Sequence, residues 1–184
     1  AHSLQNPNSA ENKSIGYSEN DQEILVHSES ERLLFCVFNK PALLSVGNLI
    51  SFRKADQPKT KRALAVVNEL IVAKQSGKIS FGVTLITLHY HAVYYVMENA
   101  TEKDVPLKAL FYNAGEQLID ASYLVVDNFM LKDGDLIKMQ MSQENIYLVL
   151  KGKKNIGLGY WQFECNRVAQ KVDQSQPKKG YDFI

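Results

Sequence analysis

Cysteine is scarce in this chain: Cys36 and Cys165 are the only two among 184 residues, and no CxxC spacing joins them. Both sit in apolar runs, LFCVF and WQFEC, and read as buried free thiols in a reduced, cytoplasmic setting; a disulfide between them is the alternative. Charge of either sign is not in excess. Lys and Arg number 21 against 20 Asp and Glu, a formal charge of +1, so no global field draws in DNA or an anionic membrane and any anion binding must be local. Long hydrophobic runs are missing too: Lys, Asn, Glu or His interrupts every apolar stretch well short of the ~20 residues a membrane helix needs. No charged-then-apolar leader opens the chain. Missing as well are a Gly-x-Ser-x-Gly elbow, a phosphate loop, a His-Glu-x-x-His pair and any Cys-His spacing fit for nucleophilic chemistry, so a non-enzymatic protein is expected.

What is present is a globular composition, 45 % hydrophobic and 22 % charged, in which strands dominate. Residues 1–21 are Asn-, Ser-, Glu- and Gln-rich with little to bury, and read as a flexible or ligand-ordered lead-in; Ala1-His2 has the look of a cloning scar, which would make the chain a fragment. From Glu23 short apolar runs begin: EILVHS, RLLFCVF, then LLSVGNLISF after the Lys40-Pro41 break. RALAVVNELIVAK could pass for a helix, but its Val-Val and Ile-Val pairs and the Ser76-Gly77 turn into KISFGVTLI favour a long hairpin. HYHAVYYVME closes this unit, and the polar stretch from Asn99 to Val105 is the expected boundary. LKALFY, QLIDASYLVV, GDLIKMQM, NIYLVLKGK and GLGYWQFECNRV then supply five more strands with short turns. The expectation is a mainly β protein of two tandem small antiparallel β-barrels, residues 22–103 and 104–169, followed by a polar tail, 170–184.

One pattern occurs twice. SVGNLISFRK starts at Ser45 and KDGDLIKMQM at Lys132, so that Gly47 and Gly134 lie 87 residues apart. The Gly permits a positive φ, the Asn or Asp can bond the turn backbone, and Leu-Ile starts the outgoing strand. By itself this motif states architecture only.

The run VGNLISFRK, RALAVVNELIV and GKISFGVTLI resembles, in order, the Gly-Asp-Leu-Val, Gly-Val-Val-Arg-Trp and Glu-Leu-Gly-Val strands of a PilZ domain, the bacterial receptor module for cyclic di-GMP. Residues 107–168 resemble the second β-domain that accompanies PilZ-like domains in some proteobacterial proteins. The resemblance implies a cytoplasmic regulatory binding module, with cyclic di-GMP as ligand and no cofactor. PilZ receptors grip the dinucleotide with an Arg-x-x-x-Arg pair in the N-terminal segment and an Asp/Asn-x-Ser-x-x-Gly turn, the guanidinium groups meeting phosphate and guanine. Here Asn12, Ser14 and Gly16 supply the turn's residue types one residue short, and no Arg-x-x-x-Arg occurs between Ala1 and Ile184. The pair is either missing, which would make the site degenerate, or lies upstream. The rival implication is a PilZ-like adaptor that binds a partner protein without nucleotide.

Other residues admit two readings each. Arg53, Lys54, Lys59, Lys61 and Arg62 surround the Pro58 loop and either clamp phosphate or form a solvated loop; Arg53, Lys54 and Arg62 are the candidates to join Asn12, Ser14 and Gly16 in a ligand site. Lys151, Lys153 and Lys154 suggest a second basic hairpin tip. His89 and His91 share a strand face and could chelate a metal, but no third ligand is near, so a surface pair is expected and no metal site. Trp161 reads as core packing, with a base-stacking platform as the minor alternative; with net charge near zero, single-stranded nucleic acid ranks last among partners.

Overall fold

The computed structural model of the chain describes residues 22–27, 33–38, 44–77, 79–115, 121–141 and 143–169. Among these, every regular element is a strand: β1 (Gln22–His27), β2 (Leu33–Phe38), β3 (Leu49–Lys54), β4 (Ala63–Val72), β5 (Ile79–Thr87), β6 (His91–Met97), β7 (Leu107–Asn113), β8 (Ser122–Val126), β9 (Leu136–Met141), β10 (Glu144–Gly157) and β11 (Tyr160–Arg167). No helix long and apolar enough to cross a membrane occurs among the described residues. RALAVVNELIV is the strand that its β-branched pairs predict, and it turns at 73–77 to pair with β5.

The strands form two assemblies. β1 to β5 make a five-stranded sheet in sequence order, and β10-β11-β8-β7-β6-β9 make a closed six-stranded barrel. Of the two barrels expected, the structure therefore closes the second; among the described residues β5 has β4 as its one neighbour and the first assembly is a sheet. The change of assembly also comes earlier in the chain than residues 99–105. β6, read from sequence as the end of the first unit, pairs with β7 and β9 as a barrel strand. The polar stretch after it is the loop of the β6–β7 hairpin. Local composition marks a loop well, but it carries no information on which sheet the flanking strand joins.

The barrel core follows the two-residue period of a strand. Val93 and Tyr95 of β6, Ala109 and Phe111 of β7, Leu124 and Val126 of β8, Ile137 and Met139 of β9, and Ile146, Leu148 and Leu150 of β10 all point inward to Phe163 and Cys165 of β11. Burial pushes the Cys165 thiol up to about 12, with Glu164 adding to the shift, so it is a packing group and a poor nucleophile.

A second apolar layer joins the two assemblies. Leu64 of β4, Tyr112 of β7 and Val125 of β8 are buried together, with Leu49, Ile86 and Tyr90 packed from one side and Leu110, Tyr123, Ile156 and Tyr160 from the other. This explains why ALAVV and SYLVV lose the apolar/polar alternation: both faces of β4 and β8 are covered. Tyr112 stacks on Tyr123 with ring centroids 5.3 Å apart, and its hydroxyl accepts a 2.7 Å bond from Gln162 Nε2. Burial, and secondarily Tyr123, push its pKa up to about 12.

The repeated turn is the same object twice. Gly47 has φ 91° and Gly134 φ 90°. Gly47 N donates to Val67 O at 2.7 Å and Val67 N to Asn48 O at 2.9 Å; Gly134 N donates to Leu150 O at 2.8 Å and Leu150 N to Asp135 O at 2.9 Å. In each, the Asn48 or Asp135 side chain accepts the backbone N–H three residues back, at 2.7 Å and 2.9 Å. Only the first copy meets the other assembly. Leu158 N, at the β10–β11 tip, donates to Gly47 O at 2.7 Å, and a Cβ on Gly157 would lie 2.6 Å from that oxygen. A Cβ on Gly47 would meet Leu158 at 3.2 Å, whereas nothing lies within 4 Å of one on Gly134. With φ matched, Gly134→Ala is expected to cost about 1–2 kcal/mol from backbone strain, and Gly47→Ala measurably more. Urea unfolding of both variants tests this, and equal losses would show that the Gly47 contact contributes nothing.

Candidate functional site

Of the six residues that the sequence offers as a ligand site, Asn12, Ser14 and Gly16 lie outside the described residues, and the structure gives Arg53, Lys54 and Arg62 different tasks. Arg53 lies in β3 and Arg62 directly precedes β4; because Phe52 pairs with Ala63, the hairpin brings the two arginines side by side. Both are buried, at 9 % and 4 % exposure. Arg53 Nη1 donates to Gln57 O at 2.8 Å, and over longer distances to Lys54 O and Ala55 O at 3.3 and 3.4 Å. It closes its own hairpin loop.

Arg62 reaches across the ladder. Its Nε donates to Ser51 Oγ at 2.8 Å and its Nη2 to Ser51 O at 3.2 Å. Ser51 Oγ is 2.6 Å from the hydroxyl of Tyr90, which stands in the connection between β5 and β6. Burial lowers the Arg62 pKa from its ordinary value, and the Tyr90 hydroxyl opposes that shift by charge and by hydrogen bond. The guanidinium thus ties β3, β4 and the β5–β6 connection into one polar post at the margin of the shared apolar layer. Lys54, Lys59 and Lys61 are exposed. The basic run is one block in sequence, but the fold divides it into two inward arginines and a solvated rim of Lys54 on β3 and Lys59 and Lys61 in the loop.

The other singled-out residues resolve in the same way. Lys151, Lys153 and Lys154 lie within β10 around a register shift, not at a hairpin tip; that tip is Leu158-Gly159. Lys153 Nζ donates to Phe129 O and Leu131 O, each at 2.6 Å, and lies 5.4 Å from the Trp161 ring centroid. Trp161 packs on the barrel core with its ring flanked by this cation, which is the arrangement of a structural tryptophan. His89 and His91 approach edge-on at 4.7 Å, and no group of three or more His, Cys, Asp or Glu that could hold a metal occurs among the described residues.

An adaptor would need a strand edge or an apolar barrel surface, and sequence alone does not say which strand is the edge; the structure places β5 at one end of the sheet. β5, ISFGVTLIT, has no charged residue and no proline, the devices that normally blunt an edge strand. Val83 and Leu85 are 38 % and 50 % exposed, and Ile79 stands out beside Ile71 and Val72 at the far end of the hairpin. Nine uncharged residues in a row were the available signal.

No protein-family model, no curated protein and no solved structure matches this chain.

Two measurements test this assignment of roles. Arg62→Ala is expected to lose about 2–3 kcal/mol of stability, since bonds to a charged group are broken and buried acceptors are left behind, while Lys54→Ala stays within about 0.5 kcal/mol; equal effects in urea unfolding would contradict it. For His91, burial first and His89 second hold the pKa below 6.5. The unfolded chain then binds that proton more readily, so the pair's contribution to stability is intact above 6.5 and declines as pH falls from there through the lower folded value. An NMR titration should place the His91 midpoint below 6.5, and His89→Gln should raise it; an unchanged midpoint would show that the neighbouring ring has no influence.

Proposed function

We propose that this chain is a non-catalytic, PilZ-like adaptor of the bacterial cytoplasm that holds an extended segment of a partner protein along the outer edge of β5. The observation that carries this reading is the engagement of Arg53 and Arg62 by carbonyls, Ser51 and Tyr90 of the fold itself. A guanidinium spent on its own hairpin is a poor phosphate grip, so the sheet is the PilZ-like half without the nucleotide duty. The sheet ends at β1 and at β5, each with one strand neighbour among the described residues, and β5 is the edge whose Val83 and Leu85 side chains stand exposed beside its unpaired backbone. Strand addition there supplies main-chain hydrogen bonds, and selectivity comes from alternate side chains. The chemistry of ISFGVTLIT calls for an uncharged, β-branched segment whose apolar side chains meet Val83 and Leu85.

Two experiments on the full chain bear on this. Calorimetry with cyclic di-GMP should give no binding heat; a Kd of about 10 μM or tighter would contradict the proposal and restore the nucleotide reading. An array of extended apolar peptides should retain the wild-type chain at a subset of spots and lose it when Val83→Lys and Leu85→Lys are combined, because both positions are exposed and the charges burden only the docked state. Failure to retain any peptide, or identical retention of both chains, would overturn the edge as the docking site.

A further inference from the structure

At one end of the barrel, the final residues of β6, the loop that follows it and the start of β7 line a recess of about 400 Å³ that is open to solvent on one side. That volume falls within the range of small-molecule sites. Its position is independent of β5 and of the arginine pair. Tyr95 lines it, along with Asp104, Val105, Leu107 and Asn128.

Three features give the recess a chemistry. The Tyr95 side chain is 1 % exposed, yet its hydroxyl has a single partner, Asn128 Nδ2 at 3.4 Å, beyond the usual range for a good bond. In that contact the hydroxyl oxygen accepts, so no acceptor among the described residues takes its proton. Burial raises the Tyr95 pKa, which keeps the proton in place as a donor. Asn128 is fixed in orientation because its Oδ1 accepts the Met130 N–H at 3.0 Å.

The second feature is the wall. Asp104 Oδ2 accepts from Thr101 N at 2.6 Å and from Thr101 Oγ1 at 2.9 Å, and these bonds hold its pKa below the ordinary carboxylate value. The turn is closed by Asp104 N on Thr101 O and the one before it by Ala100 N on Met97 O, so the wall is preformed. The third is the lining as a whole: one carboxylate, no Lys, Arg or His, and an apolar rim at Val105 and Leu107, which are 78 % and 46 % exposed. The lining offers an anion no cation, and the exposed Asp104 carboxylate repels it, most strongly at low ionic strength.

We infer that this barrel-end recess binds a small molecule with an apolar body, a carbonyl-type acceptor for the Tyr95 hydroxyl, and no negative charge. Cyclic di-GMP is excluded by its phosphates, so the site is a second one, separate from the protein-binding edge. Phenylacetamide and phenylacetate share one apolar body and differ in charge, which makes them the probes. In ¹⁵N NMR of the full chain, phenylacetamide should shift the amides of Val96, Asn99 and Leu107 with an affinity on the order of 1 mM, as suits so small a probe. Phenylacetate should bind at least about tenfold more weakly. Tyr95→Phe, which keeps the ring in the core, should weaken phenylacetamide about tenfold through the lost hydrogen bond, and Val105→Trp, at an exposed rim position, should block the mouth and abolish the shifts. Absence of shifts with phenylacetamide, equal binding of the two probes, or binding that survives Val105→Trp would overturn the inference; the last two readouts decide it even if Tyr95→Phe fails to fold.

Discussion

Leu64, Tyr112 and Val125 form an apolar layer that belongs to neither the sheet nor the barrel alone. Everything that distinguishes the first assembly depends on it. One face of the five-stranded sheet lies on the outer surface of β7 and β8, while Ile50, Ala65 and Val67 form a core of their own on the other. The Gly47 turn then meets the β10–β11 tip backbone to backbone, with no side chain interposed. Arg62, Ser51 and Tyr90 satisfy their polar groups at the layer's margin, so the arginine is an element of the seam as much as of the sheet.

Support of this kind has a functional consequence. A partner segment that adds to an edge strand pays less in ordering when the strand is already held, because the edge is preorganised. β5 is the outermost strand on that side, one position away from β4, whose Leu64 is in the shared layer and whose Ala65 and Val67 are in the sheet's own core. The barrel in this account is a brace for the sheet. Its own end recess, lined by Asp104 and Tyr95, lies apart from that edge.

Much of this architecture was legible in the sequence, and the failures have identifiable causes. Strand identity was readable even for RALAVVNELIVAK, because β-branched pairs and a Ser76-Gly77 turn outweigh Ala and Leu. The duplicated turn was readable because Gly followed by Asn48 or Asp135 fixes a local hydrogen-bond pattern that needs no distant partner. The partition of strands between assemblies was not: β6 looks the same whether it pairs with β5 or with β9, and only register decides. The candidate site failed for the same reason. Arg53 and Arg62 sit in one basic run with Lys54, Lys59 and Lys61, but burial depends on which face of β3 meets the barrel, a fact held by Leu64 and Val125 and not by the run itself. Ser51, two residues before Arg53 and therefore on the same face, was the one local hint that this face is polar yet enclosed.

The claim on which the rest stands is that sheet and barrel are a single cooperative unit held by their common layer. Native-state hydrogen exchange on the full chain tests it most directly, by following the amides of Leu64 in the sheet and of Val125 in the barrel. The account predicts that both open with the same free energy, and that Leu110→Ala, on the barrel side of the layer, lowers the two equally. Opening of Leu64 at a lower free energy, unmoved by Leu110→Ala, would mean that the sheet stands without the barrel and would contradict it.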